Sequence, residues 1–170
     1  MQEALENTFG ALALALTDDV NAALAAKGLL PSEFEAIGHL GHAPGLTITD
    51  LSSAIALSHA ATVRLVARLE AKGVVSREKS NSDGRSVVLR LNATGLELHG
   101  ELLAERHKKL RSALRVLTKE EQKTLSELTD RILRKMLRTE QHAFRVCRLC
   151  NQPICKGCPV ETEMMEREAQ

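Results

Sequence analysis

Four cysteines lie within twelve residues near the end of this 170-residue chain, and they form its clearest chemical motif. The run Cys147-Arg-Leu-Cys150-Asn-Gln-Pro-Ile-Cys155-Lys-Gly-Cys158 contains two C-x2-C pairs separated by four residues. In a cytosolic protein this spacing favours a metal site over disulfides, because each pair can turn around one ion and supply two thiolates. The second pair is expected to open a short last helix, with Cys158 at the N-cap and Pro159 at the first helical position.

The spacing predicts zinc, because four thiolates around one Zn²⁺ ion make the closed, tetrahedral site typical of structural zinc. The spacer of four residues is shorter than in most zinc ribbons, which leaves two alternatives open. One is an iron–sulfur cluster, favoured by the Cys158-Pro159 ending, and the other is a reversible dithiol switch. The sequence leaves open whether the site is structural or sensory.

A second set of candidate functional residues, rich in Arg and Lys, lies within residues 47–95. The helices and strands of this segment must position them. Thr47 with Asp50 predicts a capped helix over residues 48–55, and Ser58 can N-cap a second helix that ends at Gly73. One face of the second helix carries its apolar residues, Val63, Val66 and Leu69.

Two strands are predicted after the second helix. Their apolar residues are Val74 and Val75, then Val87, Leu89 and Leu91 in alternation. The turn-rich run Asn81-Ser82-Asp83-Gly84 joins them. Helix, tight turn, helix and a two-stranded wing make a winged helix-turn-helix. The predicted fold class is therefore mainly α, with a small antiparallel β wing, and the second helix is the one that fits a DNA major groove.

The same segment resembles a known family. The residues that carry the resemblance are Asp50-Leu51, Leu57-Ser58, Val63, Arg68-Leu69-Glu70, Lys72-Gly73, Val75, Arg77, Asp83-x-Arg85 and Leu91-x-x-x-Gly95. Their order is similar to that of the MarR family of regulators over residues 30–95 and, by helix order, to about residue 145. The resemblance implies a dimeric, sequence-specific regulator that binds double-stranded DNA, a repressor released by a small ligand or a chemical signal. Asn92 stands where the family commonly has Thr, and Asn can also cap the following helix.

The start of the second helix supplies the first candidate DNA contacts. They are Ser58, His59, Ala60, Thr62 and Arg64. Arg64 could donate two hydrogen bonds to a guanine, and Thr62 could contact a thymine methyl group or a phosphate. His59 is expected to face phosphate rather than a base, since phosphate contacts outnumber base contacts.

Three further arginines complete the candidate DNA-binding set: Arg68, Arg77 and Arg85. Arg68 either contacts phosphate or forms a structural ion pair. Arg85, at the wing tip, resembles the family's arginine that enters the minor groove, with Asp83 orienting it. From Arg64 to Arg90 the net charge is +4, which suits a surface that faces phosphate. The net charge of +1 for the whole chain does not by itself indicate nucleic-acid binding.

Long amphipathic helices are predicted on both sides of the winged segment. They cover residues 3–26, 95–116 and 119 to about 145, with a shorter helix over 33–41 that Ser32 and Glu35 would cap. Their apolar stripes exceed what one small wing domain can cover, so we expect a two-fold homodimer, with a monomeric helical bundle as the alternative.

The resulting division has four segments: residues 1–28 as an N-terminal dimerisation helix, 30–95 as the DNA-binding domain, 96–146 as the remaining dimerisation helices, and 147–170 as the cysteine cluster and tail.

Several functional classes are disfavoured by the sequence. It contains no apolar run long enough to span a membrane and no secretory signal, so we expect a cytoplasmic protein without a membrane partner. It shows no nucleophile–base pair, no paired carboxylates and no glycine loop that cradles phosphate, so we do not expect an enzyme. A helical metal-binding interaction module that does not bind DNA is the alternative from another class.

Overall fold

A computed structural model of the protein describes residues 2–80, 86–151 and 157–168, and in these ranges it contains eight helices and one two-stranded sheet. The elements are α1 (Gln2–Ala25), α2 (Pro31–His42), α3 (Ile48–Ala54), α4 (His59–Ala71), β1 (Val75–Lys79), β2 (Val87–Leu91), α5 (Ala93–Leu114), α6 (Lys119–Met136), α7 (Glu140–Cys147) and α8 (Pro159–Glu168). The predicted fold class, mainly helical with a small antiparallel wing, is confirmed.

The predicted starts of α3, α4 and α6 are confirmed by their caps. The hydroxyl of Thr47 accepts a hydrogen bond from the Asp50 backbone at 3.1 Å, and the Asp50 carboxylate accepts one from the Thr47 backbone at 3.0 Å. At the starts of α4, α5 and α6 a side chain also accepts a backbone N–H, and these cap residues are Ser58, Asn92 and Thr118. Gly73 follows α4 at φ +67°, a left-handed conformation that glycine adopts without strain.

The wing is an antiparallel pair that runs from Val75 opposite Leu91 to Lys79 opposite Val87. The alternation predicted for β2 is only partly correct. Leu89 and Leu91 are buried, but Val87 is exposed and Val88 is buried instead. A bridge from Leu46 to Leu89 adds a third short segment beside the pair, so the middle of β2 is covered more fully than a free hairpin would be.

The main core joins the winged domain to the long helices. Leucine, isoleucine, valine and alanine side chains from α2, α3, α4 and the base of the wing pack with Leu24 of α1 and Leu102 of α5. Burial of these aliphatic side chains, at about 25 cal/mol per Å² of apolar surface, is the main driving force for this arrangement. α4, the helix predicted to enter the major groove and called the recognition helix below, therefore rests on α2 and α3.

The bounds of three predicted helices are wrong. α5 spans Ala93–Leu114 instead of residues 95–116. α2 begins at Pro31, not at residue 33, and its first turn is closed by Glu33, whose carboxylate accepts the Leu30 backbone N–H at 2.9 Å, instead of by Ser32 and Glu35. The helix predicted to run to about residue 145 ends at Met136, because the backbone at the next residue is extended (ψ 134°).

After this break, Thr139 caps α7 by accepting the His142 N–H at 3.1 Å. The predicted segment boundary at residue 146 falls inside α7. The expected last helix is confirmed as α8, which begins at Pro159. Arg134 of α6 donates to Glu163 of α8 at 2.9 Å, and Leu137, Ala143 and Val160 form a small second core beneath α8. None of the described helices is long and apolar enough to cross a membrane.

Candidate nucleic-acid interface and cysteine site

The first turns of α4 present a small exposed surface. Ser58, His59, Ala60 and Arg64 are all exposed there. The Ser58 hydroxyl is occupied as the cap, accepting the Ala61 N–H at 3.2 Å. Among the ion pairs formed by the described residues, none involves Arg64, so its guanidinium is available to a ligand. This surface can approach a groove closely because two of its four residues are small.

The DNA contact predicted for Thr62 is wrong. Its predicted role was a contact to a thymine methyl group or to phosphate, but its side chain is fully buried and its hydroxyl donates to the Ser58 carbonyl at 3.1 Å. Thr62, Leu65, Val66 and Leu69 form the buried face of α4, whereas Val63, predicted to be part of it, is only half-buried. Thr62 therefore helps to seat the helix and cannot reach a base.

The far end of α4 is tied to α2 through a buried carboxylate. Glu33 is 1% exposed and accepts Lys72 Nζ at 2.8 Å and Arg68 Nε at 3.4 Å. Burial alone would raise the pKa of Glu33, but the hydrogen bonds from Lys72 and the Leu30 backbone outweigh it and lower that pKa. Of the two roles weighed for Arg68, the structural ion pair is the one observed.

Sequence reasoning missed Glu33. A helix start at Pro31 places Glu33 at the third helical position, and that spacing could have identified it.

The basic residues of the wing are also partly engaged in ion pairs. Arg77 Nε donates to the carboxylate of Glu70 at 3.1 Å, and Arg90 pairs with Glu78 at 3.1 Å. Arg77 stays exposed on the wing side of α4. Arg85, the predicted wing-tip arginine, and Asp83, predicted to orient it, lie outside the described residues. The local positive charge is thus partly neutralised within the domain, which leaves Arg64 as the clearest candidate for a direct contact.

Three of the four cysteines face a common cavity. Cys147, Cys150 and Cys158 line a single cavity of about 520 Å³ together with Phe144 and Met164. The backbone N–H of Cys150 donates to the Cys147 carbonyl at 2.8 Å, so the first C-x2-C pair closes a tight turn at the end of α7. Cys155 lies outside the described residues.

A hydrogen bond with Cys147 lowers the pKa of the Cys150 thiol to about 6, with help from the positive charges of Arg106 and Arg148. Within residues 2–80, 86–151 and 157–168, no three His, Cys, Asp or Glu side chains already form a metal-binding group. The three described thiols line one cavity without forming such a group.

Comparison with known proteins places these features in a family context. A sequence model of the MarR family matches residues 27–86. The chain is 29% identical over 108 residues to the HTH-type transcriptional regulator YdgJ of Bacillus subtilis, covering 64% of this chain and 66% of YdgJ. It is 35% identical over 83 residues to the HTH-type transcriptional repressor Rv2887 of Mycobacterium tuberculosis, covering 49% of this chain and 60% of Rv2887. The chain thus spans no more than about two-thirds of either relative.

The fold is also similar to solved structures. A MarR family protein from Bacillus stearothermophilus superposes with a TM-score of 0.71 at 25% identity, over 79% of this chain and 94% of that one. Rv2887 in complex with p-aminosalicylic acid superposes with a TM-score of 0.59 at 26% identity, over 75% of this chain and 97% of that one.

Proposed function

Because this chain belongs to the MarR family of winged helix-turn-helix transcriptional regulators, we propose that it binds double-stranded DNA at specific sites and represses transcription. The observation that carries this proposal is the exposed first half of α4, where Arg64 projects from a helix whose other half is anchored by Glu33. A helix held in this way can enter a major groove without losing its position on the domain.

The docking follows from which side chains are exposed. Arg64 meets a base edge, with two hydrogen bonds to guanine as its best-matched contact, while Ser58 and His59 lie beside the phosphates. Ala60 permits close approach. Arg85, which lies between the residues of β1 and β2 in the sequence, would contact the adjacent minor groove. This division assigns specificity to α4 and a salt-dependent share of the affinity to the wing.

The test begins by sequencing the genomic fragments that the purified protein retains. Affinity for a retained site is then measured by fluorescence anisotropy at two salt concentrations. Arg64→Ala should lose about 1–3 kcal/mol on that site and little on unrelated DNA. Arg111→Ala, which removes an exposed arginine at the far end of α5, should change neither. Retention of no DNA at any salt would favour the non-DNA-binding metal module instead.

A homodimer is the second part of the proposal. α6 leaves Leu128, Ile132 and Met136 exposed. Phe9 and Leu12 of α1 line a neighbouring apolar groove of about 710 Å³ with residues from the end of α5 and the start of α6. Leu24 is the one buried residue in the described part of α1, so most of the surface of this 24-residue helix stays exposed although it packs against α5. A second copy related by a two-fold axis could bury these apolar side chains. Sedimentation at micromolar concentration tests whether the protein is a dimer.

A metal site is the third part. The four thiolates of Cys147, Cys150, Cys155 and Cys158 would hold one Zn²⁺ ion per chain, and an iron–sulfur cluster is the alternative occupant. Its support is the C-x2-C spacing and the gathering of three thiols at one cavity. Elemental analysis of protein purified without oxygen distinguishes zinc, iron and neither. Cys150→Ser with Cys158→Ser should abolish metal binding, and four freely titrating thiols in the wild type would refute the site.

A small-molecule effector is the fourth part. A cavity of about 220 Å³ between α1, α2 and α5 is lined by Phe34 and Leu110 and by two arginines, Arg106 and Arg148. An aromatic ring with a carboxylate suits this combination, and Rv2887 was crystallised with p-aminosalicylic acid. Calorimetry with aromatic carboxylates tests this proposal. Arg106→Ala should reduce the heat of binding, and no binding at millimolar ligand would exclude the class.

A further inference from the structure

The cavity of about 220 Å³ between α1, α2 and α5 is closed on one side by the C-terminal part of the chain. Arg106 and Leu110 belong to the wall that the long helices supply, whereas Val146, Arg148 and Leu149 come from the end of α7 and the residues after it. We call residues 144–149 the docking turn, because they pack on α2. The cavity therefore has its full shape only while the docking turn is in place.

The docking turn is held on α2 by an ion pair, a ring contact and a close approach of the two backbones. Arg148 Nη2 donates to the Glu35 carboxylate at 3.1 Å, and the ring of His39 lies 4.6 Å from that of Phe144. A Cβ atom built on Gly38 would lie 2.2 Å from the Arg148 carbonyl oxygen, closer than real Cβ atoms come. Any side chain at Gly38 would thus force the docking turn away from α2.

Apolar side chains of the docking turn join the cavity to both cores. Leu149 packs against the main core, and Val146 packs against the second core beneath α8. Both side chains also line the cavity. A movement of the docking turn away from α2 would consequently open the cavity and disturb the packing of the C-terminal segment at the same time.

The charge of the cavity favours an anion. Arg106 and Arg148 line it, and the described residues that line it include no Asp or Glu. Arg106 forms no ion pair within the described part of the chain. Arg148 uses Nη1 for the Arg145 carbonyl at 2.7 Å and Nη2 for Glu35, but its Nε is buried and has no acceptor among residues 2–80, 86–151 and 157–168. A buried donor without an acceptor is unfavourable, so an acceptor atom on a ligand would bind well there.

The size of the cavity limits the anion to a small one. Sites for drug-sized ligands have volumes of about 300–1,000 Å³, and this cavity is smaller. A single aromatic ring can pack against Phe34 and Leu110, and one carboxylate can accept hydrogen bonds from the arginines.

We propose that the docking turn is part of the ligand site, so that an aromatic carboxylate bound between Arg106 and Arg148 holds the C-terminal segment against α2. This inference rests on the effector part of the proposed function and adds residues 146–149 to that site. The ligand contacts Arg148 and Leu149 in one place only while the turn is docked, so it binds the docked form better and increases its population. Linkage requires that docking raise the affinity for the ligand by the same factor.

The experiment uses the full-length protein and benzoate, with benzamide as a neutral probe of nearly the same shape. Calorimetry should show that the wild type binds benzoate at least tenfold more tightly than benzamide. Gly38→Ala should weaken benzoate binding at least tenfold although Gly38 does not line the cavity. The matched control Gly100→Ala, whose added Cβ meets nothing within 4 Å, should bind as the wild type does.

Hydrogen exchange measures the docking itself. With benzoate at one hundred times its Kd, exchange in peptides that cover residues 144–149 should slow by up to about 100-fold in the wild type. Without ligand, the same peptides should exchange faster in Gly38→Ala than in the wild type.

A charge swap keeps the test valid if Gly38→Ala does not fold. Glu35→Arg should loosen the docking turn and weaken benzoate binding. Glu35→Arg combined with Arg148→Glu should restore slow exchange in the turn, since the ion pair is rebuilt, but should not restore benzoate binding, since a carboxylate now lines the cavity.

Two results would overturn the inference while leaving the effector site in place. One is benzoate binding that depends on Arg106 but leaves exchange of residues 144–149 unchanged. The other is a benzoate affinity that neither Gly38→Ala nor the charge swap alters. Equal affinity for benzamide would refute the anion as the ligand class. Absence of benzoate binding by the wild type at millimolar concentration would be a failure of the proposed effector function, and this inference would fail with it.

Discussion

Replacing Glu33 is the most direct perturbation of the link between α2 and the recognition helix. Its carboxylate accepts hydrogen bonds from Lys72 at 2.8 Å, from the Leu30 backbone at 2.9 Å and from Arg68 at 3.4 Å. Lys72 and Arg68 are 40% and 47% exposed, so water can hydrate both cations once the carboxylate is gone. The loss is therefore limited to the bonds themselves, without the larger penalty of a buried unpaired charge.

The magnitude follows from those bonds. A hydrogen bond to a charged group contributes about 1.5–3 kcal/mol, and the long contact to Arg68 contributes least. The amide oxygen of Glu33→Gln can still accept two bonds, which are weaker because the acceptor has lost its charge, so we expect a loss of about 1–2 kcal/mol in the free energy of unfolding. Glu33→Ala removes the bonds and the helix cap, and we expect about 3 kcal/mol.

Urea unfolding followed by helical circular dichroism measures these values at pH 7 and one fixed protein concentration. The pKa of Glu33 is lowered from 4.5, so the stability contributed by its charge is complete above pH 4.5 and is lost as the pH falls through the folded-state value. The difference between wild type and Glu33→Gln should accordingly narrow below pH 4.5.

The control is Glu101→Gln, which breaks the exposed 2.7 Å pair with Lys27 and should change stability little, since water screens such pairs. A Glu33→Gln variant as stable as the wild type, or no more affected than Glu101→Gln, would refute the structural role of Glu33.

Three further predictions concern the core, the wing and the dimer. Burial, with the charge of Arg148, lowers the pKa of His39 from 6.5 to about 4, so the free energy of unfolding should fall by up to about 3 kcal/mol as the pH drops from 6.5 to 4. His39→Phe should remove this part of the pH dependence of the urea midpoint. The same pH dependence of the midpoint in the two proteins would contradict the prediction. Gly95→Ala should cost about 2 kcal/mol by thermal or urea unfolding, because the added Cβ would lie 2.2 Å from the Val74 carbonyl oxygen; an unchanged midpoint would show that α5 can shift from the wing. Replacing Leu128 and Ile132 together by Lys should give a folded monomer in sedimentation, and a variant that sediments as the wild type does would place the interface elsewhere.

The local elements were predictable from the sequence because their signals lie within a few residues. Each of these signals caps the start of a helix or ends one through nearby backbone groups, so it acts independently of the rest of the fold. The residues are Thr47 with Asp50, Ser58, Gly73 and Asn92. The winged helix-turn-helix follows from the order of such signals. The cysteine spacing predicts a set of metal donors, which stays a prediction, and it does not identify the ion.

Other features depended on contacts between residues far apart in the chain. Thr62 is polar and was predicted to face DNA, but the docking of α4 on the core buries it. Ser32 with Glu35 had the spacing of a capping box, yet Glu33 closes the first turn because it also meets Lys72, 39 residues later.

The contact between Gly38 and Arg148 brings together residues 110 positions apart, and neither residue type alone indicates it. Sequence therefore determined which segments could form helices and strands, since those preferences are set by neighbouring residues. The tertiary structure decided which polar side chains face solvent and which face each other, because burial and ion pairing depend on surfaces that exist only once the elements have packed.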